Sequence, residues 1–259
     1  MISEGAKPEA ESAAGPAPAY LESWVHSSSR DDLLRAAADP SLNDDLALAL
    51  LQRGDLPAEL LEHLAKNANA LKFRKVKLAL ASHPHAPRHV SVPLIRQFYT
   101  FDLMKVALMP SVPADVKVAA DETLIARIKT VTLGERLGLA RRGSGRVAGA
   151  LLLDGDPRVM QTALENGRLT EASVIEAALR PQASPALVQG ISLHSKWCYR
   201  REVRLALLRT EHLSLAKALE FTQGIHAALV RDILRSSKLP ARIKELILRE
   251  SAEAQQSGR

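Results

Sequence analysis

Five short stretches carry one pattern: RGDLPAEL (Arg53 to Leu60), SHPHAPRHV (Ser82 to Val90), MPSVPADV (Met109 to Val116), RPQASPALV (Arg180 to Val188) and SSKLPARI (Ser236 to Ile243). In each, a proline preceded by a small or apolar residue is followed by two variable residues and then an aliphatic one. Proline suits the first turn of a helix, where its missing N–H has no intrahelical partner anyway and its φ is already helical. The apolar residues before the turns recur at helical spacing, as in Val76, Ala79, Leu80 and Val203, Ala206, Leu207, with Lys or Arg opposite. Each unit therefore reads as helix, tight turn, proline-started helix. No stretch alternates long enough to argue for a sheet. With only nine aromatics (four Phe, two Trp, three Tyr), the core must come from Leu, Ala, Val and Ile.

A larger period overlies the units. The aliphatics Leu46, Leu60, Val90 and Val116 are echoed by Val174, Val188, Ala218 and Ile243, and a shift of 127 or 128 residues lays one half on the other. Under the 127 shift KVKLALA (Lys75 to Ala81) meets EVRLALL (Glu202 to Leu208), and VPADVK (Val112 to Lys117) meets LPARIK (Leu239 to Lys244). The pattern predicts an all-α, right-handed α-solenoid over residues 21–250, with duplicated halves at about 30–127 and 160–250. Helix pairs repeating at such intervals bury their apolar faces only against neighbouring pairs. The Ala-, Pro-, Glu- and Ser-rich ends, 1–20 and 251–259, are expected to be unstructured tails.

VKLALASHPHAPRHVSVPLIRQF resembles the leucine-rich-repeat-variant units of bacteria, and the wider array resembles HEAT-type helical repeats. The resemblance implies a curved helical surface that binds another macromolecule. The variant family's iron–sulfur member uses a cysteine cluster. This chain has one cysteine, Cys198, so that cofactor is not carried over, and no other cofactor is expected.

Charge is unevenly spread: residues 1–70 hold 5 Lys/Arg and 12 Asp/Glu, a net of −7, and the remainder carries +13. A basic body attracts anionic partners over distance. No apolar run approaches the roughly 18 to 20 residues of a membrane span, and the N-terminus has acidic residues and prolines where a signal peptide needs a basic start and an apolar stretch, so a cytoplasmic, non-membrane protein is expected.

Four motifs are candidate sites. His83, His85 and His89 crowd one turn, but with no Asp or Glu close in sequence they read as a polar turn tolerant of serine rather than a metal site. Arg141, Arg142 and Arg146 flank the glycines of RRGSGR, which suits either an anion at a helix start or a plain turn; the Lys-Ser/Thr of a nucleotide-binding loop is missing. DGDPRV (Asp154 to Val159) reads as an Asp-capped, Pro-started helix.

HSKWCYRREVR (His194 to Arg204) is the densest aromatic and basic stretch: Trp197 and Tyr199 suit stacking, and Arg200, Arg201 and Arg204 suit phosphates, unless Trp197 and Cys198 are core. The pair Arg74 and Lys77 aligns with Arg201 and Arg204, and Lys117 with Lys244, under the 127 shift. No paired carboxylates, serine elbow or metal helix motif stands out, so no catalysis is expected. The expected partner is a protein. Nucleic acid is the alternative, because some bacterial HEAT-like solenoids are DNA glycosylases with a basic groove.

Overall fold

The computed structural model describes residues 18–257; the expected N-terminal tail lies, but for its last three residues, outside them. The described residues form seventeen α-helices and one 3-10 turn, with no strand. They divide into two compact units, one up to Leu124 and one from Ile125.

The first unit holds α1 (Ala19–Val25), α2 (Arg30–Ala38), α3 (Asp44–Leu51), α4 (Ala58–Lys66), α5 (Arg74–Ala81), α6 (Arg88–Ile95) and α7 (Thr100–Leu108). Helix α8 (Ala114–Arg127) carries the chain across the boundary. The second unit holds α9 (Leu133–Arg142), α10 (Gly145–Leu151), α11 (Pro157–Leu164), α12 (Glu171–Leu179), α13 (Pro185–Leu193), α14 (Arg201–Leu207), α15 (Leu215–Thr222), α16 (Ala227–Ser236) and α17 (Ala241–Ser257). It thus includes α9 and α10, which lie between the halves that the sequence pattern suggests.

These short helices are started by side chains and prolines rather than sustained by length, since isolated helices this short are marginal in water. Asn43, Thr132, Ser144, Asp156, Thr170, Ser184 and Ser214 each accept a hydrogen bond from a backbone N–H of the helix that they cap. Pro57 and Pro87 stand at the N-caps of α4 and α6 with extended ψ, while Pro157 and Pro185 open α11 and α13 as their first residues. The turn prolines therefore sit within one position of where the pattern puts them.

All the substantial helix contacts, such as α1 with α2 and α3, α2 with α4, α3 with α5, α10 with α11 and α12, α11 with α13 and α12 with α14, join helices one or two apart in chain order. Burial is correspondingly distributed along the chain, with Leu21, Leu60, Leu80 and Leu103 fully buried in the first unit and Val147, Val174, Val203 and Ala218 in the second.

The helix starts repeat. Arg30, Asp44, Ala58, Arg74, Arg88, Thr100 and Ala114 begin α2 to α8, and Pro157, Glu171, Pro185, Arg201, Leu215, Ala227 and Ala241, each 127 residues later, begin α11 to α17. The slip to 128 that some aliphatic anchors need is absent from the helix starts. For Leu46 and Val174 it arises because α12 buries its fourth residue, Val174, where α3 buries both its third and fourth, Leu46 and Ala47.

Helix α17 continues through Ser257, past the expected start of the C-terminal tail. Ala, Glu and Gln are good helix formers, and Arg249 and Glu253 pair at i, i+4 with 2.8 Å between Nε and Oε1.

Candidate functional site

The histidine turn shows how a side chain satisfies backbone groups at a helix end. His83 follows α5, is 3 % exposed, and has its Nε2 2.9 Å from the Arg53 carbonyl, while its Nδ1 accepts the His85 N–H at 3.2 Å. Those neighbours select the neutral tautomer with its proton on Nε2. Three other helix ends repeat the arrangement. Asn67 donates to the carbonyls of Ala37 and Asp39 and accepts from Asn69; Asn166 donates to those of Ala140 and Gly143 and accepts from Arg168; Ser237 donates to Leu208 and accepts from Leu239. All four are buried. One side chain thus satisfies the end of an earlier helix turn, 23 to 30 residues upstream, and also closes its own turn.

His83 is therefore a structural clip, in a role that a serine, Ser237, fills at another helix end. The equivalents of His83 are Asn67, Asn166 and Ser237, not the Asp, Ser, Arg and Glu of the proline-aligned turns. His85 is exposed, with Nδ1 3.1 Å from the Leu56 carbonyl, and exposed His89 has Nε2 3.3 Å from Glu62 Oε1. No group of three His, Cys, Asp or Glu residues able to hold a metal occurs among the described residues. His83→Ala should lower stability by about 2 kcal/mol, because the part-buried Arg53 carbonyl loses its donor and the turn its acceptor. His89→Ser should change it by less than about 0.5 kcal/mol. Urea unfolding of the two variants measures the contrast, and equal midpoints would refute the clip.

The basic and aromatic stretch splits between core and surface. Trp197 is 2 % exposed and donates from Nε1 to the Leu164 carbonyl at 3.0 Å, so it is core and not a stacking platform. Lys196 covers its ring at 4.1 Å, and Cys198 is a buried free thiol. His194 accepts the Lys196 N–H on Nδ1, and burial holds its imidazole below the usual histidine range. Arg204 is half-buried: its Nε donates to the Cys198 carbonyl, and its guanidinium lies 5.3 Å from the Phe221 ring and 5.8 Å from the Tyr199 ring. What reaches solvent is Tyr199, 73 % exposed, with Arg200 and Arg201, which have no carboxylate partner among the described residues.

Arg74 and Arg201 are the first residues of α5 and α14, and Lys77 and Arg204 sit three further on. Their surroundings differ. Arg74 Nε lies 2.7 Å from Oδ2 of buried Asp102 and its guanidinium 5.0 Å from the Tyr99 ring, whereas the position 127 after Asp102 is Leu229. A neutralised arginine in the first unit thus corresponds to an open one in the second. Lys77, half-buried, has no ion-pair partner among the described residues. Lys117 and Lys244 keep one contact in both units, each donating to the carbonyl seven residues upstream, Pro110 and Ser237 respectively.

The glycines of RRGSGR are explained by packing. A Cβ on Gly143 would lie 2.5 Å from the Leu139 carbonyl oxygen, and one on Gly145 2.4 Å from that of Arg168. Ser144 caps α10, and Arg141, Arg142 and Arg146 are exposed. Asp156 caps α11 through the Arg158 N–H at 2.9 Å, as its sequence predicts, and the side-chain and backbone hydrogen bonds from Arg158 hold its carboxyl down at about 2.

The sequence assigns no role to Arg136 and places Asp154 only at the head of a helix-capping segment; the two form a close pair beside a cavity of about 500 Å³ in the second unit. Their separation in sequence carries no local signal.

No helix among the described residues is long and apolar enough to cross a membrane. The chain matches no family model, and comparison with curated proteins and with solved structures likewise gives no match.

Proposed function

We propose that the protein is a non-catalytic scaffold, in each unit a right-handed α-solenoid of stacked helix pairs, that binds another protein in the cytoplasm. The observation that carries this reading is the contact pattern, in which helices pack on neighbours one or two along and on little else. That is the quasi-one-dimensional construction of repeat proteins, whose function is an extended surface. The common 127-residue offset of seven helix starts, with the Lys117 and Lys244 contacts at the same offset, supports an internal duplication of leucine-rich-repeat-variant or HEAT-like type.

Protein is favoured by what the surface offers. Tyr99 and Tyr199 are 70 % and 73 % exposed, each beside an arginine, and Leu193 is 61 % exposed. Tyrosine and arginine dominate the energetics of protein interfaces. Open Arg200 and Arg201 and the +13 of residues 71–259 favour nucleic acid as the second reading. Buried Trp197 and neutralised Arg74 weigh against it.

Photo-crosslinking from a benzophenone side chain placed at residue 199 in cells tests both. A discrete protein adduct, lost when Arg200 and Arg201 are both changed to Glu, is the expected result. A nucleic-acid adduct instead would replace the protein reading with the second one, and no adduct from position 199 or 99 would remove both. Arg204 is left intact, because its side chain holds the Cys198 carbonyl and packs on Phe221.

A further inference from the structure

The connection from α13 to α14, residues 194–200, corresponds at the 127-residue offset to the connection from α4 to α5, residues 67–73, so each unit holds its own version of one turn. The inward side keeps its task in both. Asn67 donates to the Ala37 carbonyl in the first unit, and Trp197 Nε1 donates in the second to the carbonyl of Leu164, the position 127 after Ala37.

The outward side differs. In the first unit it is polar and satisfied from within: Lys72 Nζ donates to Asn69 Oδ1 at 2.7 Å, Asn69 Nδ2 donates to the Pro40 carbonyl at 2.8 Å, and Arg74, just past the turn, pairs with buried Asp102. In the second unit exposed Leu193 stands for exposed Lys66, and exposed Tyr199 for Lys72. Exposed Arg200 stands for half-buried Phe73. Arg201 corresponds to Arg74, but the aspartate is replaced by Leu229, itself 38 % exposed. Neither Arg200 nor Arg201 makes an ion pair or a side-chain hydrogen bond among the described residues, although exposed Glu202 follows them in the chain.

The first unit thus shows that this turn folds with a polar surface satisfied from within. The second presents apolar area and two open guanidinium groups at the same place, on a backbone that buried Trp197 and Cys198 hold from beneath. Apolar area left in water is what association removes, and a guanidinium is matched by a carboxylate. Leu193 favours a peptide over a nucleic acid, whose protein interfaces are more polar and whose single strands stack on aromatics rather than on leucine.

We propose that the outer face of the α13–α14 connection, formed by Leu193, Tyr199, Arg200 and Arg201, docks an acidic segment of a partner protein. Its carboxylates pair with the two arginines, and an aliphatic side chain of the same segment packs on Tyr199 and Leu193. The inference rests on the scaffold reading and gives the partner its chemistry.

The probe is a fluorescein-labelled peptide amide, Gly-Glu-Glu-Leu-Glu-Glu, titrated with the full chain by fluorescence anisotropy at low salt. Saturable binding is expected, with the peptide carrying glutamine in place of each glutamate weaker by about tenfold or more. Changing Arg200 and Arg201 together to Glu should weaken the glutamate peptide by about tenfold or more. Changing exposed Arg141 and Arg142 to Glu alters the net charge equally and should cost less than about threefold. Tyr199→Ser should weaken it by about threefold or more. Urea midpoints should stay unchanged throughout, because every replaced side chain is exposed. No saturable binding of the glutamate peptide, or equal losses in the two double variants, overturns the proposal. Labelled single-stranded oligothymidylate bound more tightly than the peptide, and released by the Arg200 and Arg201 changes, overturns it in favour of nucleic acid. A protein adduct from residue 199 whose contacting segment carries no carboxylate overturns it while leaving the scaffold reading in place.

Discussion

Trp197→Ala lowers the stability of the second unit by about 4 kcal/mol. Trp197 is 2 % exposed and is the largest of the fully buried side chains. Truncating a buried tryptophan to alanine costs about 3 to 5 kcal/mol through lost burial and the cavity left behind. The hydrogen bond from Nε1 to the Leu164 carbonyl adds to this, because that oxygen loses its donor at the end of α11. Trp197→Phe separates the two terms, keeping much of the volume while removing the N–H, and should cost about half as much. Urea unfolding followed by far-ultraviolet circular dichroism measures both, with the transition of the second unit moving and that of the first staying in place. A loss below about 1 kcal/mol for the alanine variant would mean that Trp197 spends its time at the surface, and would return it to the candidate stacking residues.

The helix pairs and their period were legible because both rest on local rules. Proline favours the start of a helix, and apolar residues at helical spacing mark a buried face, so the turns at Pro57, Pro87, Pro113, Pro185 and Pro240 could be placed within a residue, although Pro93 sits inside α6. The state of each charged or aromatic residue was not legible, because it depends on residues distant in sequence. Arg74 is neutralised by Asp102, 28 residues on, and Arg136 by Asp154, 18 on, with nothing in either neighbourhood to signal the pairing. Trp197 lies in a non-helical turn between α13 and α14, where no periodicity tells inside from outside. The clip made by His83 was not legible from the prolines, because its partner, the Arg53 carbonyl, lies 30 residues upstream. Counted from the helix end, the first or second residue beyond it puts Asn67, Ser237, His83 and Asn166 in one role.

Asn166→Leu lowers stability by about 3 kcal/mol although leucine is larger and more apolar. Asn166 is 3 % exposed and makes three hydrogen bonds, donating to the Ala140 carbonyl at 2.7 Å and the Gly143 carbonyl at 3.2 Å and accepting the Arg168 N–H at 2.7 Å. Leucine leaves all three backbone groups without that partner, each at a cost of about 1 kcal/mol or more. Asn166→Asp tests the direction of the bonds. The carboxylate can still accept from Arg168, but it has no N–H to give and faces two carbonyl oxygens, so it should cost at least as much as leucine. The residue 127 earlier is in fact an aspartate. Asp39 accepts the Ser41 N–H at 2.7 Å, as Asn166 accepts that of Arg168, but its other oxygen meets the Tyr20 hydroxyl at 3.3 Å, a donor rather than a carbonyl. Asp39→Asn should therefore be nearly neutral, within about 0.5 kcal/mol, while Asn166→Asp is severe. Urea titrations of the four proteins decide it: if Asn166→Asp were as mild as Asp39→Asn, the upstream carbonyls would not depend on this side chain and the clip would be reduced to a turn.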